Sequence, residues 1–230
     1  MRRYVVKPPA LMTPLQVDDF FIWIMLGAVL GGRMGYVLFY KPAEYFADPI
    51  KILQTWNGGM SFHGGLLGVI LGIMLFARKY KIYQWYISDG VACSIPIAFA
   101  SVRIGNFING ELWGRVAPNV PWAMVFPGGG DIPRHPSQLY QAFLEGPVLF
   151  GILYVLSRNE LIRRRPGVLT GVFLIGYGVF RIADEFFREP DAHLGFLFMG
   201  ATMGQLLSAP MVLFGIYCVM RAKPISAKAK

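Results

Sequence analysis

Residues 63–81, "HGGLLGVILGIMLFARKYK", open on a histidine, stay apolar from Gly64 to Ala77, and close on a basic cluster. An apolar run of this length bounded by Arg78, Lys79 and Lys81 reads as a membrane helix with its basic end at one surface. That assignment puts the one side chain that titrates near neutral pH, His63, at the opposite surface.

The whole chain fits the same setting. Its 230 residues are 55% hydrophobic and 15% charged, and the mean hydropathy is +0.47. A soluble domain of this size needs more polar surface. The net charge of +9 is spread between apolar runs and at the termini and gathers on no contiguous face, so no nucleic-acid partner is expected. Cys93 and Cys218 each lie inside an apolar run and read as small core residues, neither a disulfide framework nor a nucleophile. The first residues, "MRRYVVKPPALMTPLQVDD", contain adjacent prolines and no apolar core, which is unlike a signal peptide.

Hydrocarbon about 30 Å thick is crossed at 1.5 Å per residue. The runs long enough predict an all-α polytopic membrane protein with about six transmembrane helices, at 19–40, 62–77, 86–102, 138–157, 168–187 and 203–221. The chain is expected to form a single transmembrane domain, 1–230. Gly27, Gly31 and Gly35, and likewise Gly64, Gly68 and Gly72, recur at a spacing of four, which puts each ladder on one helix face where backbones can approach closely. Glycine as general membrane-helix filler is the competing reading.

Arg2, Arg3, Lys7, Arg78, Lys79, Lys81, Arg158, Arg163, Arg164, Arg165, Arg221, Lys223, Lys228 and Lys230 fall on one side of these spans. Lys41, Lys51, Arg103, Arg115, Arg134 and Arg188 fall on the other. The positive-inside rule makes the richer side cytoplasmic and turns the loops 41–61, 103–137 and 188–202 outward. The loop 103–137, rich in Gly, Pro, Asn and Trp, exceeds the length of a connector and is the expected place for chemistry.

Arg33 and Arg181 belong to neither side and lie at membrane depth, where an ionised side chain costs at least about 2.5–3.5 kcal/mol unless partnered. In the predicted topology they share the outer half with His63, Arg103 and Glu145, while Tyr177, Arg181 and Glu185 share one helix face with Asp184 beside them. For Arg181 alone, a salt bridge with Glu185 or Asp184 is the simpler reading. For His63 alone, a helix-start histidine bonded to its neighbours is equally good. Together these groups suggest a polar pocket open to the outer leaflet, and guanidiniums in such a pocket favour a phosphate, most simply that of a phospholipid headgroup.

The outer end of the third span reads "RIGNFINGELWGR", 103–115, where glycines permit tight turns and Arg103, Asn106, Asn109 and Glu111 crowd donors and acceptors together. This segment closely resembles the signature of the phosphatidylglycerol prolipoprotein diacylglyceryl transferases, bacterial inner-membrane enzymes. "MSFHGG" at 60–65, "HPSQLYQAFLEG" at 135–146 and "GYGVFRIADEFFREPD" at 176–191 are similar to that family's segments in the family's order.

The resemblance implies a multi-pass protein of the bacterial inner (cytoplasmic) membrane whose active site faces the periplasm. It implies transfer of diacylglycerol from phosphatidylglycerol to the lipobox cysteine thiol of prolipoprotein signal peptides. A thioether forms, glycerol phosphate leaves, and the lipoprotein enters its maturation. The nucleophile then belongs to the substrate. His63 matches the family's essential histidine and is the natural base for a thiol of pKa near 8.5. Arg103 matches the phosphate-binding arginine and Arg181 a second essential arginine, both placed to stabilise charge on the departing phosphate. Asn106, Asn109, Glu111, Gly114, Tyr177 and Glu185 match positions that shape the headgroup site. No cofactor is implied, and no cluster with metal-ligand spacing is visible.

The family pattern also has a further N-terminal helix bearing a polar aromatic residue, and glycine where Val102 stands. An organic-anion transporter would need polar groups through both membrane halves, and here the inner half is nearly bare. An intramembrane serine protease has only Ser61 near His63 and no G-x-S-x-G elbow. A purely structural scaffold leaves the pocket unexplained.

Overall fold

The computed structural model describes residues 12–190, 197 and 200–224. The basic residues expected at Arg2, Arg3, Lys7, Lys228 and Lys230, and most of the expected loop 188–202, lie outside the described residues.

The described chain is helical and contains no strand, only isolated bridges. Helix α1 spans Pro14–Phe39, α2 Pro42–Ala47 and α3 Phe62–Tyr80, with short 3-10 turns at Pro49–Leu53 and Thr55–Asn57. Helices α4 (Gln84–Ala92) and α5 (Ile95–Ile108) follow. Next come α6 (Ser137–Phe143), a π turn at Leu144–Val148, α7 (Leu149–Arg158) and α8 (Glu160–Arg163). Helices α9 (Val168–Asp184) and α10 (Met203–Arg221) are the last among the described residues.

Five helical segments are long and apolar enough to cross a membrane: Pro14–Phe39, Phe62–Tyr80, Gln84–Ile108, Ser137–Arg158 and Met203–Arg221. The expected segment 168–187 forms as α9, which has 17 residues and stops at Asp184. At 1.5 Å per residue it covers about 25 Å, a little under the hydrocarbon thickness.

Two spans are interrupted, each at a proline. Pro96 has no N–H for the carbonyl of Ala92, and Ala92 is where α4 ends. Pro147 sits inside the π turn, which widens the helix by one residue around the missing donor. Chain entry into α1 and α10 is fixed by reciprocal caps, Thr13 with Gln16 and Thr202 with Gln205.

The described residues divide into two compact bodies, one up to Ser88 and the other from Asp89 onward, the division falling inside α4. In the first, α1 and α3 pack through their glycine ladders. A Cβ on Gly35 would lie 2.7 Å from Gly64 Cα, and one on Gly72 would lie 2.9 Å from the Trp23 carbonyl oxygen. Backbone meets backbone along this seam, so the ladders are a packing surface and more than filler. Towards the other end Phe20 and Phe76 stack edge to face at 5.0 Å, and the Tyr80 hydroxyl donates to Asp19 Oδ2 at 2.6 Å.

In the second body α9 and α10 meet in the same way. A Cβ on Gly171 would lie 2.7 Å from the Gly215 carbonyl oxygen, and one on Gly215 would lie 2.8 Å from that of Gly171. The start of α9 is capped from a distance by fully buried Asp89 of α4. Its carboxylate accepts from Gly167 N at 2.9 Å, Thr170 N at 2.8 Å and Thr170 Oγ1 at 2.6 Å. A carboxylate here meets donors that the first helical turn cannot use itself and lies at the positive end of the helix dipole.

Two stability outcomes follow from this packing. Gly31→Leu should lower the thermal midpoint in detergent by an amount equivalent to about 1–3 kcal/mol, whereas Gly151→Ala, with nothing near its missing Cβ, should leave it unchanged or raise it slightly. Asp89→Ala should cost about 2 kcal/mol or more, measured the same way; an unchanged midpoint would rule out the cap.

Candidate active site

Helix α5 delivers Arg103 to the second body's polar centre. Its neighbour across the interface is the π turn, where a Cβ on Gly146 would sit 2.6 Å from Ala100 Cβ, so only glycine allows this approach. One residue before Gly146 stands Glu145, 1% exposed, and its Oε2 accepts from Arg103 Nε at 3.2 Å. The pair uses Nε alone and leaves the two Nη groups of Arg103 outside it. Charge interactions also link Tyr177 to Arg103, Glu145 and Arg181, with the Tyr177 ring 4.9 Å from Phe99.

Helix α9 ends in the second half of the cluster. Arg181 Nη1 meets Asp184 Oδ2 at 3.5 Å, and Nη2 forms a short ion pair with Glu185 Oε1. Arg188 Nη1 also reaches Glu185 Oε1, at 3.2 Å. Gln141 Nε2 donates to Asp184 Oδ2 through a short hydrogen bond. Gly204, in the first turn of α10, lies against the Arg181–Glu185 pair: a Cβ there would be 2.6 Å from Glu185 Oε1. The expected salt bridge of Arg181 is therefore present, with both carboxylates.

The segment after α5 folds back on itself. Asn109 caps the helix, and Gly110 takes a left-handed turn at φ 67°. Asn106 Nδ2 and Asn109 Nδ2 both donate to Glu111 Oε1, at 2.9 and 3.4 Å. Gly114 is pinned where a Cβ would collide with the carbonyls of His135 and Phe187, both within 2.6 Å. Its N–H donates to the His135 carbonyl at 2.9 Å. Arg115 then donates to the Glu185 carbonyl at 2.9 Å, tying the loop to the ion-pair cluster. Val102 is exposed on α5, so its side chain displaces nothing in this body.

Several buried acceptors here have no hydrogen-bond partner among the described residues: Glu145 Oε1, Asp184 Oδ1, Glu185 Oε2, Asn106 Oδ1 and Gln138 Oε1. Leaving such an atom unpaired costs about 1–3 kcal/mol, so water or a ligand with donors must serve them. Asp184 also forms part of the wall of a cleft of about 480 Å³, lined mainly by Trp122, His135, Leu139, Tyr140, Phe143 and Phe187. The Trp122 indole N–H donates to the Tyr140 hydroxyl at 2.7 Å, and that hydroxyl lies 3.1 Å from His135 Nδ1. The Tyr140 hydroxyl thus links the indole and the imidazole in one hydrogen-bonded set on the cleft wall.

Arg103, Glu145, Tyr177, Arg181, Asp184 and Glu185 thus gather, with Asn106, Asn109, Glu111 and Gly114 on the adjoining loop. Sequence reasoning gave no role to Gln141, His135, Tyr140 or Gly204; the run "HPSQLYQAFLEG" held three of them, and its density of polar residues beside a span was the available signal.

His63 and Arg33 belong to the first body. His63 is exposed in the first turn of α3, which Ser61 caps through Gly64 N at 3.2 Å, and its ring contacts Phe62. Arg33 is 4% exposed and spends its donors on main-chain carbonyls, so the expectation that it faces a ligand is corrected: it is a structural group. Helix α1 brings it beside the 49–59 segment, whose carbonyls turn towards the guanidinium. Among the described residues no group of three or more His, Cys, Asp or Glu could hold a metal ion.

These features define a polytopic helical membrane protein with a buried arginine–carboxylate centre beside an apolar cleft. The family model described as prolipoprotein diacylglyceryl transferase matches residues 1–221. A phosphatidylglycerol–prolipoprotein diacylglyceryl transferase of Paramagnetospirillum magneticum is 60% identical over 225 residues, 98% of this chain and 84% of the relative. Proteins of the same name from Rhodospirillum rubrum and Brucella ovis are each 54% identical, covering 95% and 96% of this chain and 81% and 78% of their own lengths. The chain belongs to the prolipoprotein diacylglyceryl transferase family.

Removing the carboxylate that holds Arg103 tests the geometry of the centre. Glu145→Ala should lower stability by about 1–3 kcal/mol and raise KM for anionic phospholipid. If neither the thermal midpoint nor KM moves, Glu145 does not orient Arg103.

Proposed function

We propose that this chain transfers diacylglycerol from phosphatidylglycerol to the thiol of a prolipoprotein's lipobox cysteine. The sulfur attacks the glycerol carbon that carries the phosphate, a C–S bond forms, the C–O bond breaks, and glycerol phosphate leaves with the bonding electrons. The observation that carries this reading is the way Glu145 holds Arg103 through Nε, so that the carboxylate itself takes neither Nη group. Arg181, held by Asp184 and Glu185, lies in the same cluster and adds a second positive charge as the phosphate departs. The unpartnered oxygens of Glu145, Asp184 and Glu185 suit the hydroxyl donors of a glycerol headgroup.

His63 takes the thiol proton, since a thiol of pKa near 8.5 is only a few per cent ionised at neutral pH. Asn106, Asn109 and Glu111 form the hydrogen-bonded loop beside the phosphate. Gly114 permits the close approach that locks this loop, and Tyr177 and Glu185 complete the wall. The enzyme lies in the bacterial inner membrane with the site on the periplasmic side. Support comes from Arg78, Lys79, Arg158 and Arg221 in the last turns of α3, α7 and α10, at the ends expected to face the cytoplasm.

Incubating the purified protein with phosphatidylglycerol and a lipobox peptide, and detecting the thioether-linked product by mass spectrometry, tests the reaction; no product would overturn it. Arg103→Lys should abolish transfer, because a point ammonium cannot make the forked contact, and near-normal turnover would remove the clamp. His63→Asn should reduce turnover far more than lipid binding. Chelators should leave the rate unchanged, and inhibition reversed by added metal would contradict the metal-free mechanism.

A further inference from the structure

We propose that Arg33 is a positioning residue for His63, acting through the segment 49–61; this rests on the reading of His63 as the base. Arg33 Nε donates to the Ile52 carbonyl at 2.8 Å, Nη1 to those of Gly58 and Gly59 at 2.6 and 3.0 Å, and Nη2 to those of Lys51 and Gln54 at 2.5 and 3.2 Å. These bonds engage all three guanidinium nitrogens, and the Tyr45 ring covers the group at 5.0 Å. One buried cation thereby organises a segment made of two 3-10 turns and two left-handed glycines, which has little regular structure of its own.

That segment leads directly into the helix that carries His63. Ser61 N donates to the carbonyl of Gly32, the residue before Arg33, at 2.8 Å. The segment is therefore held to adjacent residues of α1 along its length and at its end. Ser61 Oγ then caps α3, and His63 follows two residues later in the first turn. Gly59 lies so near that a Cβ would come within 2.8 Å of Arg33 Nη1 and of the Tyr36 ring. Loosening the guanidinium frees the register of the cap, and an imidazole displaced by about an ångström loses its reach to the proton it must take. Lysine keeps the charge but has one nitrogen to set against five carbonyls in a fork.

The test is a double-mutant cycle on the full chain with phosphatidylglycerol and a lipobox peptide. Arg33→Lys should lower kcat by about tenfold or more with KM for the lipid within about twofold. The same substitution in the His63→Asn background should cause no further loss, because a residue acting through His63 has nothing left to position. Equal losses in both backgrounds would overturn the positioning role while leaving His63 as the base. Wild-type turnover by His63→Asn would overturn the base reading, and the positioning role with it. Should Arg33→Lys fail to fold, Gly59→Ala disturbs the same contact from the loop side and must show the same non-additivity; additive losses there overturn the proposal equally.

Discussion

An arginine at membrane depth must be solvated by the protein itself, and the second body is organised around that requirement. Burying a guanidinium without partners costs more than a helix can return through packing. Glu145 therefore stands against Arg103, and Asp184 and Glu185 against Arg181, with Gln141 and Arg188 bracing the carboxylates in turn. The π turn at Pro147, the glycine at 146 and the pinned loop at Gly114 are what bring these side chains within reach. Helix interruption and tight glycine contacts, costly elsewhere, here serve the placement of charge.

The arginines divide by what holds them. Main-chain carbonyls around Arg33 engage every nitrogen of its guanidinium and turn it into an internal strut. Carboxylates neutralise the other two, Glu145 through Nε alone at Arg103, and Asp184 and Glu185 through both Nη groups at Arg181. A guanidinium in the first state is a structural element, whereas the paired ones keep their charge at a centre that also holds unpartnered acceptors. Apolar walls beside Asp184 suit the rest of an amphipathic substrate, whose head and tail need different surroundings.

Much of this was legible in the sequence because membrane spans are declared by length and composition. The predicted segments 62–77 and 203–221 correspond to Phe62–Tyr80 and Met203–Arg221. The four-residue glycine spacing of α1 and α3 gave their contact face. Arg181 and its acidic partners followed from cost, since ionisable groups at that depth need a reason, while Arg103 stood out through the polar density of 103–115 and the family resemblance of that segment. What escaped notice depends on non-local geometry. Asp89 caps a helix whose start lies about eighty residues on. Gly171 and Gly215 meet without any repeating pattern. Carbonyls carry no sequence signal, so Arg33 was read as a ligand-facing charge although backbone oxygens engage its whole guanidinium. Likewise Trp122, Tyr140 and His135 form a hydrogen-bonded set only after the loop has folded.

The central claim is that Arg103 and Arg181, and not Arg33, hold the lipid phosphate. Dipolar dephasing between guanidinium nitrogens and lipid phosphorus, by solid-state magnetic resonance on labelled protein in phosphatidylglycerol bilayers, measures that contact directly. The account predicts dephasing that survives Arg33→Lys and is lost in Arg103→Lys. Dephasing that persists in Arg103→Lys but vanishes when Arg33 is replaced would contradict it.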